Sequence, residues 1–284
     1  MNSDTIRDVE SCLGVAVRRS ETVGGGCVHS TWKLEMSNGE RHFLKVASGV
    51  DAVVLAGEEL GLRALQNHIR VPVVRASGLA DGTRWLCLEW LDLHPHSAHS
   101  FAELGAALAR LHSCTGPAHG WKADNHIGRL PQKNHPTSGN WCEFFLSNRI
   151  RPQLDWAAER GLSFSESEVC EGVARLLQDH HPQPSLLHGD LWSGNTAALS
   201  DGAPVVFDPA PYFGDAETDL AMLELFGGPL PDGFLEAYGT IRSIPPERDR
   251  RRAAYDLYHA LNHFNHFGNG YLQMVRSCMQ ALGA

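Results

Sequence analysis

No C-x-x-C pair occurs among the seven cysteines, Cys12, Cys27, Cys87, Cys114, Cys142, Cys170 and Cys278. An odd, scattered set implies neither a zinc site nor a disulfide scaffold, and most are expected to be small buried hydrophobes. Basic residues are in the minority, 24 Lys and Arg against 33 Asp and Glu, for a formal net charge of −9. That balance argues against non-specific nucleic-acid binding, which needs a basic surface. Met1 to Glu10 is polar with no apolar signal region, and no stretch approaches the apolar length that spans a bilayer. A cytoplasmic protein is the default expectation. The 16 histidines form no H-E-x-x-H set. His94, His96 and His99 share a proline-containing loop, read as a solvated loop rather than a metal site. There is no internal repeat. What is present is ordinary for a globular chain, 43% hydrophobic and 20% charged, and 284 residues suit two lobes better than one small core.

Against that background one stretch stands apart. Residues 188–195 read H-G-D-L-W-S-G-N, and an apolar run from Val205 to Phe207 then delivers Asp208. Asp190 and Asn195 are five residues apart, and Asp208 follows thirteen later. Protein kinases carry an H-x-D-x-x-x-x-N loop and then a metal-binding Asp after a short strand. There the first Asp orients and deprotonates an attacking hydroxyl, while the Asn and second Asp hold magnesium on the phosphates. Any one of these is more often a turn residue. The full set at matching spacing points to phosphotransfer.

The preceding half supplies the parts such a loop requires. Residues 4–13 carry a short helical pattern, and Val15 and Val17 begin a β-rich block. A turn at Gly24, Gly25 and Gly26 leads to a strand over Thr31–Met36. Asn38-Gly39 signals a hairpin, and residues 41–47 make a third strand carrying Lys45. Glycines let backbone N–H groups approach phosphate oxygens. The pattern is not G-x-G-x-x-G, so alone it is weak. A Lys within an apolar strand needs an anionic partner or a wet edge. A helix over roughly 51–68 offers Glu58 and Glu59, and Glu58 is chosen as the partner because it leans toward the stripe of Leu55, Leu62 and Leu65. Strands beginning at Val71 and running over Arg84–Trp90, turned by Asp81-Gly82, complete five strands and one long helix. In a kinase-like lobe, main-chain groups near Glu89 and Leu91 would hydrogen-bond the adenine.

After Pro95 the chain turns helical. Helices are expected over 101–112, 141–160, 166–179, through Phe226, 233–241, 246–266 and 270–281, with an irregular region at 116–140. Tyr255, Tyr258, Leu261 and Phe264 are read as core, and His259, His263 and His266 lack an acidic companion that would make a metal site. The expected class is α+β: a small N-terminal nucleotide-binding lobe, 1–92, with a five-stranded antiparallel sheet, and a larger, mainly α-helical catalytic and acceptor-binding lobe, 93–284.

L-L-H-G-D-L-W-S-G-N followed by V-F-D-P-A-P-Y-F-G-D-A-E-T-D-L-A-M closely resembles the fructosamine kinase (ketosamine 3-kinase) family, a branch of the aminoglycoside phosphotransferase and protein-kinase-like superfamily. G-G-G-C-V-H-S-T-W, F-L-K-V, the E-x-x-G-L of Glu58 to Leu62, D-N-H-I-G-R-L-P-Q-K-N and W-C-E-F-F-L-S-N-R-I-R-P-Q-L also look like family signatures in order. The D-P-A in place of D-F-G, and the lack of an H-R-D arginine and an A-P-E segment, separate this branch from protein kinases.

The resemblance implies ATP- and Mg²⁺-dependent phosphorylation of the 3-hydroxyl of a ketosamine, small or carried on a glycated protein lysine. The phosphorylated adduct then breaks down, freeing the amine. Bacterial-type relatives favour ribulosamine or erythrulosamine. In that reading Asp190 aligns the hydroxyl, Asn195 and Asp208 hold Mg²⁺, and Lys45, fixed by Glu58, holds the α/β-phosphates. Trp192 is read equally as a sugar-packing face or as core. Asn125, Gln132, Asn134 and Arg149 are acceptor-site candidates through the family match alone. Asp215 and Asp219 are expected to brace the loop or cap a helix. Cys27, in the glycine loop, is a candidate redox thiol or link to a second copy, against the plainer reading of a small residue that fits. A monomer and a homodimer are both open. A choline-, homoserine- or aminoglycoside-type kinase is the first alternative. A nucleotide-binding pseudokinase is the second, disfavoured by the complete Lys45, Glu58, Asp190, Asn195, Asp208 set.

Overall fold

The computed structural model describes residues 3–24 and 29–283. Helix α1 (Ser3–Leu13) precedes β1 (Val17–Thr22), β2 (Ser30–Met36) and β3 (Arg41–Ser48). Helix α2 (Val50–Leu65) then crosses to β4 (Val74–Ala80) and β5 (Thr83–Glu89). The five strands form one antiparallel sheet in the order β1-β2-β3-β5-β4. The β4–β5 turn is made by Asp81 and Gly82, with φ of 47° and 69°, the left-handed pair that a two-residue hairpin requires. Two expected boundaries shift. The helix expected to 68 stops at Leu65, and the strand expected from Val71 begins at Val74. Pro72 has no N–H to give a ladder, and the Val73 carbonyl is instead used by the N–H of Glu89 at 2.9 Å.

Beyond Glu89 no described strand joins this sheet. Helix α3 (Ala98–His112) starts at a reciprocal cap: Ser97 Oγ accepts from Ser100 N at 3.1 Å, and Ser97 N donates to Ser100 Oγ at 2.8 Å. The expected irregular region holds a short hairpin, β6 (Asn125–Ile127) and β7 (Leu130–Gln132). The expected 141–160 helix is α4 (Trp141–Phe145) and α5 (Arg151–Glu159) joined by a π turn at Leu146–Ile150. Helix α6 (Glu166–Leu177) leads to β8 (Ser185–Leu186), the hairpin β9 (Thr196–Ala198) and β10 (Pro204–Val206), and β11 (Phe213–Gly214). Helices α7 (Glu217–Gly227), α8 (Asp232–Gly239), α9 (Arg248–Phe267) and α10 (Leu272–Leu282) complete the chain. No described helix is long and apolar enough to cross a membrane.

Burial follows the sequence pattern. Val9, Leu34, Leu44 and Trp85 fill the space between α1 and the sheet. Leu55, Leu62 and Leu65 of α2 share a second cluster with Leu86 and with Leu104, Leu108 and Leu111 of α3. Apolar packing therefore runs on from the sheet-bearing part into the helical part. A third cluster surrounds α9, where Tyr255, Tyr258 and Leu261 are fully buried. Four of the six described cysteines are buried, and all six are free thiols.

Candidate active site: a cleft between the sheet and the helical lobe

Lys45 comes from β3 and Glu58 from the buried side of α2, at 3% and 8% exposure. Lys45 Nζ lies 2.7 Å from Glu58 Oε1 and 2.5 Å from Asp208 Oδ1. Glu59 is engaged elsewhere, by Arg63 at 3.0 Å and Ser77 Oγ at 2.9 Å. Burial would release the Lys45 proton, but Asp208 and then Glu58 more than offset it, holding the ammonium charged. Burial pushes the Glu58 carboxyl up against the pull of Lys45. It would also raise Asp208, where the Lys45 ammonium wins and holds the carboxylate ionised. One cation thus spans two carboxylates from different parts of the chain.

The loop that carries Asp190 follows β8. Leu187 N donates to Tyr212 O at 3.0 Å, and Ala210 N to His188 O at 2.9 Å. Gly189 has φ of 83°, and a Cβ there would sit 2.0 Å from the Ala210 carbonyl oxygen, so only glycine fits this crossing. Gly61 serves the same contact from the other side, since a Cβ would press on Pro209 and Pro211 at 3.0–3.1 Å. His188 Nδ1 accepts from Asp190 N at 3.3 Å, and its Nε2 donates to Phe207 O at 3.0 Å. Asn195 Nδ2 donates to Asp190 O at 2.8 Å and to Asp190 Oδ2 at 3.1 Å. Asn195 immediately precedes β9 and Asp208 stands two residues past β10, so the thirteen-residue spacing is one hairpin bringing both to the same edge. Asp208 has φ of 56°, a left-handed conformation that Asp tolerates.

These donors suit a hard cation. The Asn195 amide nitrogen is spent on Asp190, so its side-chain oxygen is the atom it could offer to a cation. The Asp208 side chain keeps 38% exposure toward the cleft. Oxygen donors of this kind are what Mg²⁺ takes, one or two from protein and the rest from phosphate and water. Asp190 is half-buried. Burial first, then the charge of Asp208, raises its proton affinity to about 8, opposed by the Asn195 hydrogen bond.

All of these groups border one cleft of about 1500 Å³. Phe43, Leu88, Trp90, Leu91 and Phe207 form an apolar slot at one end, and Gly24 borders it. Gly25, Gly26 and Cys27 lie outside the described residues. Some groups of Glu89 are already engaged. Its N–H is committed to Val73 O at 2.9 Å, and its carboxylate accepts from Val73 N at 2.8 Å and pairs with Arg70. Glu89 and Leu91 both border the cleft.

The four acceptor candidates Asn125, Gln132, Asn134 and Arg149 do not border the cleft. They form a polar layer behind it. Gln132 Nε2 donates to Ala210 O at 3.0 Å and to Asn125 Oδ1 at 2.8 Å, and Asn125 Nδ2 donates to Pro211 O at 2.9 Å. Asn134 Nδ2 donates to Asn125 Oδ1 at 2.9 Å, and Arg149 donates to Asn134 Oδ1 at 2.7 Å. The Arg149 guanidinium lies 3.9 Å from the Tyr212 ring centroid. Asn125 and Gln132 are spent on the carbonyls just after Asp208, and Asn134 and Arg149 hold Asn125 in turn, so the geometry is that of a support. Trp192 does border the cleft, half-buried and edge-on to Phe226 at 6.4 Å.

A second support was legible only in part. Asp219 Oδ2 accepts from His188 N at 2.7 Å and Oδ1 from Gly189 N at 2.9 Å, the loop brace expected of it. His112 Nε2 donates to the same carboxylate at 3.2 Å, and its Nδ1 meets the Tyr238 hydroxyl at 2.9 Å. The sequence placed His112 at the end of one expected helix and Tyr238 inside another, with no sign that they meet. Asp215 binds His180 Nε2 at 2.7 Å, the Tyr255 hydroxyl and Glu217 N. His180, Asp215 and Glu217 come within metal-ligand reach of one another. Both Glu217 oxygens are held by Arg251, so the cluster is internally satisfied. His96, for which a solvated loop was expected, has both ring nitrogens hydrogen-bonded, to Ser100 and Thr196.

Comparison with known proteins shows the family. The family described as fructosamine kinase matches residues 1–284. A probable ketoamine kinase of Synechocystis is 40% identical over 272 residues, 93% of this chain and 91% of the relative. The chloroplastic protein-ribulosamine 3-kinase of Oryza sativa subsp. indica is 35% identical over 270 residues, 90% of this chain and 76% of its own. A crystal structure from Haemophilus somnus, provisionally assigned as a fructosamine-3-kinase, superposes with a TM-score of 0.90 at 28% identity, covering 98% of this chain and 96% of that one. The chain belongs to the fructosamine kinase family.

Proposed function

We propose that this protein transfers the γ-phosphate of ATP to the 3-hydroxyl of a ketosamine, a ketose joined through an amine, and so supports deglycation. The observation that carries the reading is the Lys45 ammonium held between Glu58 and Asp208 in the same cleft as Asp190 and Asn195. Family membership and the ketoamine and ribulosamine kinase relatives favour a ketosamine over a choline or aminoglycoside acceptor.

Each residue has a physical role in that reaction. The apolar slot of Phe43, Leu88, Trp90 and Leu91 takes the base. Lys45, fixed by Glu58, meets the α/β-phosphates, and its contact with Asp208 gives way to them. Asn195 and Asp208 would hold Mg²⁺, which when bound neutralises phosphate charge. Asp190, positioned by Asn195, accepts the hydrogen bond of the sugar hydroxyl and takes its proton. Trp192 offers the sugar an apolar face beside that carboxylate. Most of the rate comes from positioning and charge neutralisation.

ATP consumption measured with ribulosyl-, erythrulosyl- and fructosyl-lysine tests the proposal. Magnesium-dependent turnover with at least one is expected. Turnover with none, or only with choline, homoserine or aminoglycosides, overturns it.

A further inference from the structure

The end of the cleft beyond Trp192 is lined by side chains the phosphotransfer chemistry does not use. Phe226, His263, Phe267 and Tyr271 all border it. Ring centroids lie 4.2 Å apart for Phe226–His263, 5.1 Å for His263–Tyr271 and 5.8 Å for Phe267–Tyr271. With Trp192 edge-on to Phe226, they make a continuous aromatic wall that begins two residues past Asp190 in the chain. This wall is not closed core. Phe226 and Tyr271 are half-buried and Phe267 is 54% exposed.

The wall stands where two helices end. Phe226 is in the last turn of α7, and His263 and Phe267 are in the last turns of α9, with Tyr271 in the short turn that follows. Helix C-termini carry partial negative charge and favour cations. The histidines add no opposing charge. His263 Nδ1 donates to His259 O at 3.0 Å and His266 Nε2 to Ile127 O at 2.9 Å, and burial lowers the proton affinity of both, so they stay neutral. Arg129 and Arg160 also border the cleft, but both are exposed and screened, and Arg129 is held by Asp51.

We propose that this aromatic wall, centred on Phe226 and Tyr271, is the subsite for the acceptor's amine-bearing half, holding its secondary ammonium by π faces and helix-end carbonyls rather than by a carboxylate. The proposal rests on the ketosamine reading. With the 3-hydroxyl at Asp190, the ammonium nitrogen is only a few bonds from the reacting oxygen, and Trp192, two residues past Asp190, begins the series of rings that borders the same cleft. The cleft-bordering carboxylates among the described residues are Glu58, Glu89, Asp92, Asp190 and Asp208, none of them on α7 or α9. An alkylammonium over aromatic faces gains a preference of about tenfold over an uncharged isostere.

The test compares ribulosyl-lysine with its ether analogue, in which oxygen replaces the ammonium nitrogen. KM values are measured for the wild type and for Phe226→Leu/Tyr271→Leu, with calorimetric binding of the same two compounds to each. The wild type is expected to prefer the cationic acceptor about tenfold, and the double variant to lose that preference while its KM for ATP stays within about twofold. Equal preference in both proteins, or none in the wild type, overturns the subsite. If no compound is phosphorylated, the ketosamine reading fails, and the binding preference still decides the fate of the wall.

Discussion

The cleft and the polar layer behind it are made of the same residue types and treat them in opposite ways. In the cleft, Asp190, Asp208 and Glu58 share too few partners: one ammonium serves two carboxylates, and burial raises the proton affinity of Asp190. Behind it, Asp219 accepts from two backbone N–H groups and a histidine, and the Asn125, Gln132, Asn134 and Arg149 set closes on the carbonyls of Ala210 and Pro211. The first arrangement leaves charge available to a ligand. The second spends it on holding backbone in place. Chemistry and stability should therefore respond to different substitutions.

Asp190→Asn should break that comparison most sharply. Turnover is expected to fall by about 10³-fold, with an unchanged or higher thermal midpoint, because a poorly partnered carboxylate is removed. A midpoint that falls along with turnover would place Asp190 with the supports. Asp219→Ala should instead act on stability first: it strands the N–H groups of His188 and Gly189 and is expected to cost about 3 kcal/mol in urea unfolding, with turnover falling as a consequence of the loosened loop. Full stability in that variant contradicts the brace.

How much of this was legible depended on how the information is carried along the chain. That Asp190, Asn195 and Asp208 share one cleft could be read because one loop and one hairpin carry them there, so spacing alone encodes their meeting. Lys45 and Glu58 were readable as a charge on an apolar strand and an acid near an apolar stripe. The Asn125 to Arg149 set shared a family signature but not a direction, and only coordinates show that these side chains face carbonyls behind the cleft. His112 and Tyr238 meet across α3 and α8, 126 residues apart in sequence, and no local pattern announces that contact. The side-chain partners of Glu89, Arg70 and Val73, were not readable for a related reason, since they lie on the segment around Pro72 that precedes β4.

Acid sharpens the comparison on the stability side. His259 is 1% exposed, and burial lowers its proton affinity to about 3, the Thr218 carbonyl opposing. The unfolded chain takes up that proton below about pH 6.5 while the folded chain does not, so stability is complete at pH 7 and is lost as pH falls. About 2 kcal/mol should be gone by pH 5 from this group, and His259→Gln should flatten the slope of urea midpoint against pH by that amount. An unaltered slope would show that His259 is not held neutral. The smallest effect is expected at Arg149→Met. Losing its bonds to Asn134 and its stacking on Tyr212 should cost about 1.5 kcal/mol, with the acceptor KM within about twofold of wild type. A large rise in acceptor KM at full stability would return Arg149 to the binding surface.

Phosphorus NMR of the product formed from ATP, magnesium and ribulosyl-lysine tests phosphate transfer to the ketosamine most directly. A single new phosphomonoester resonance coupled to the C3 proton of the sugar, absent with Asp190→Asn, is the expected result. A phosphate on another hydroxyl, or a product that forms equally well without Asp190, would contradict the assignment of this cleft.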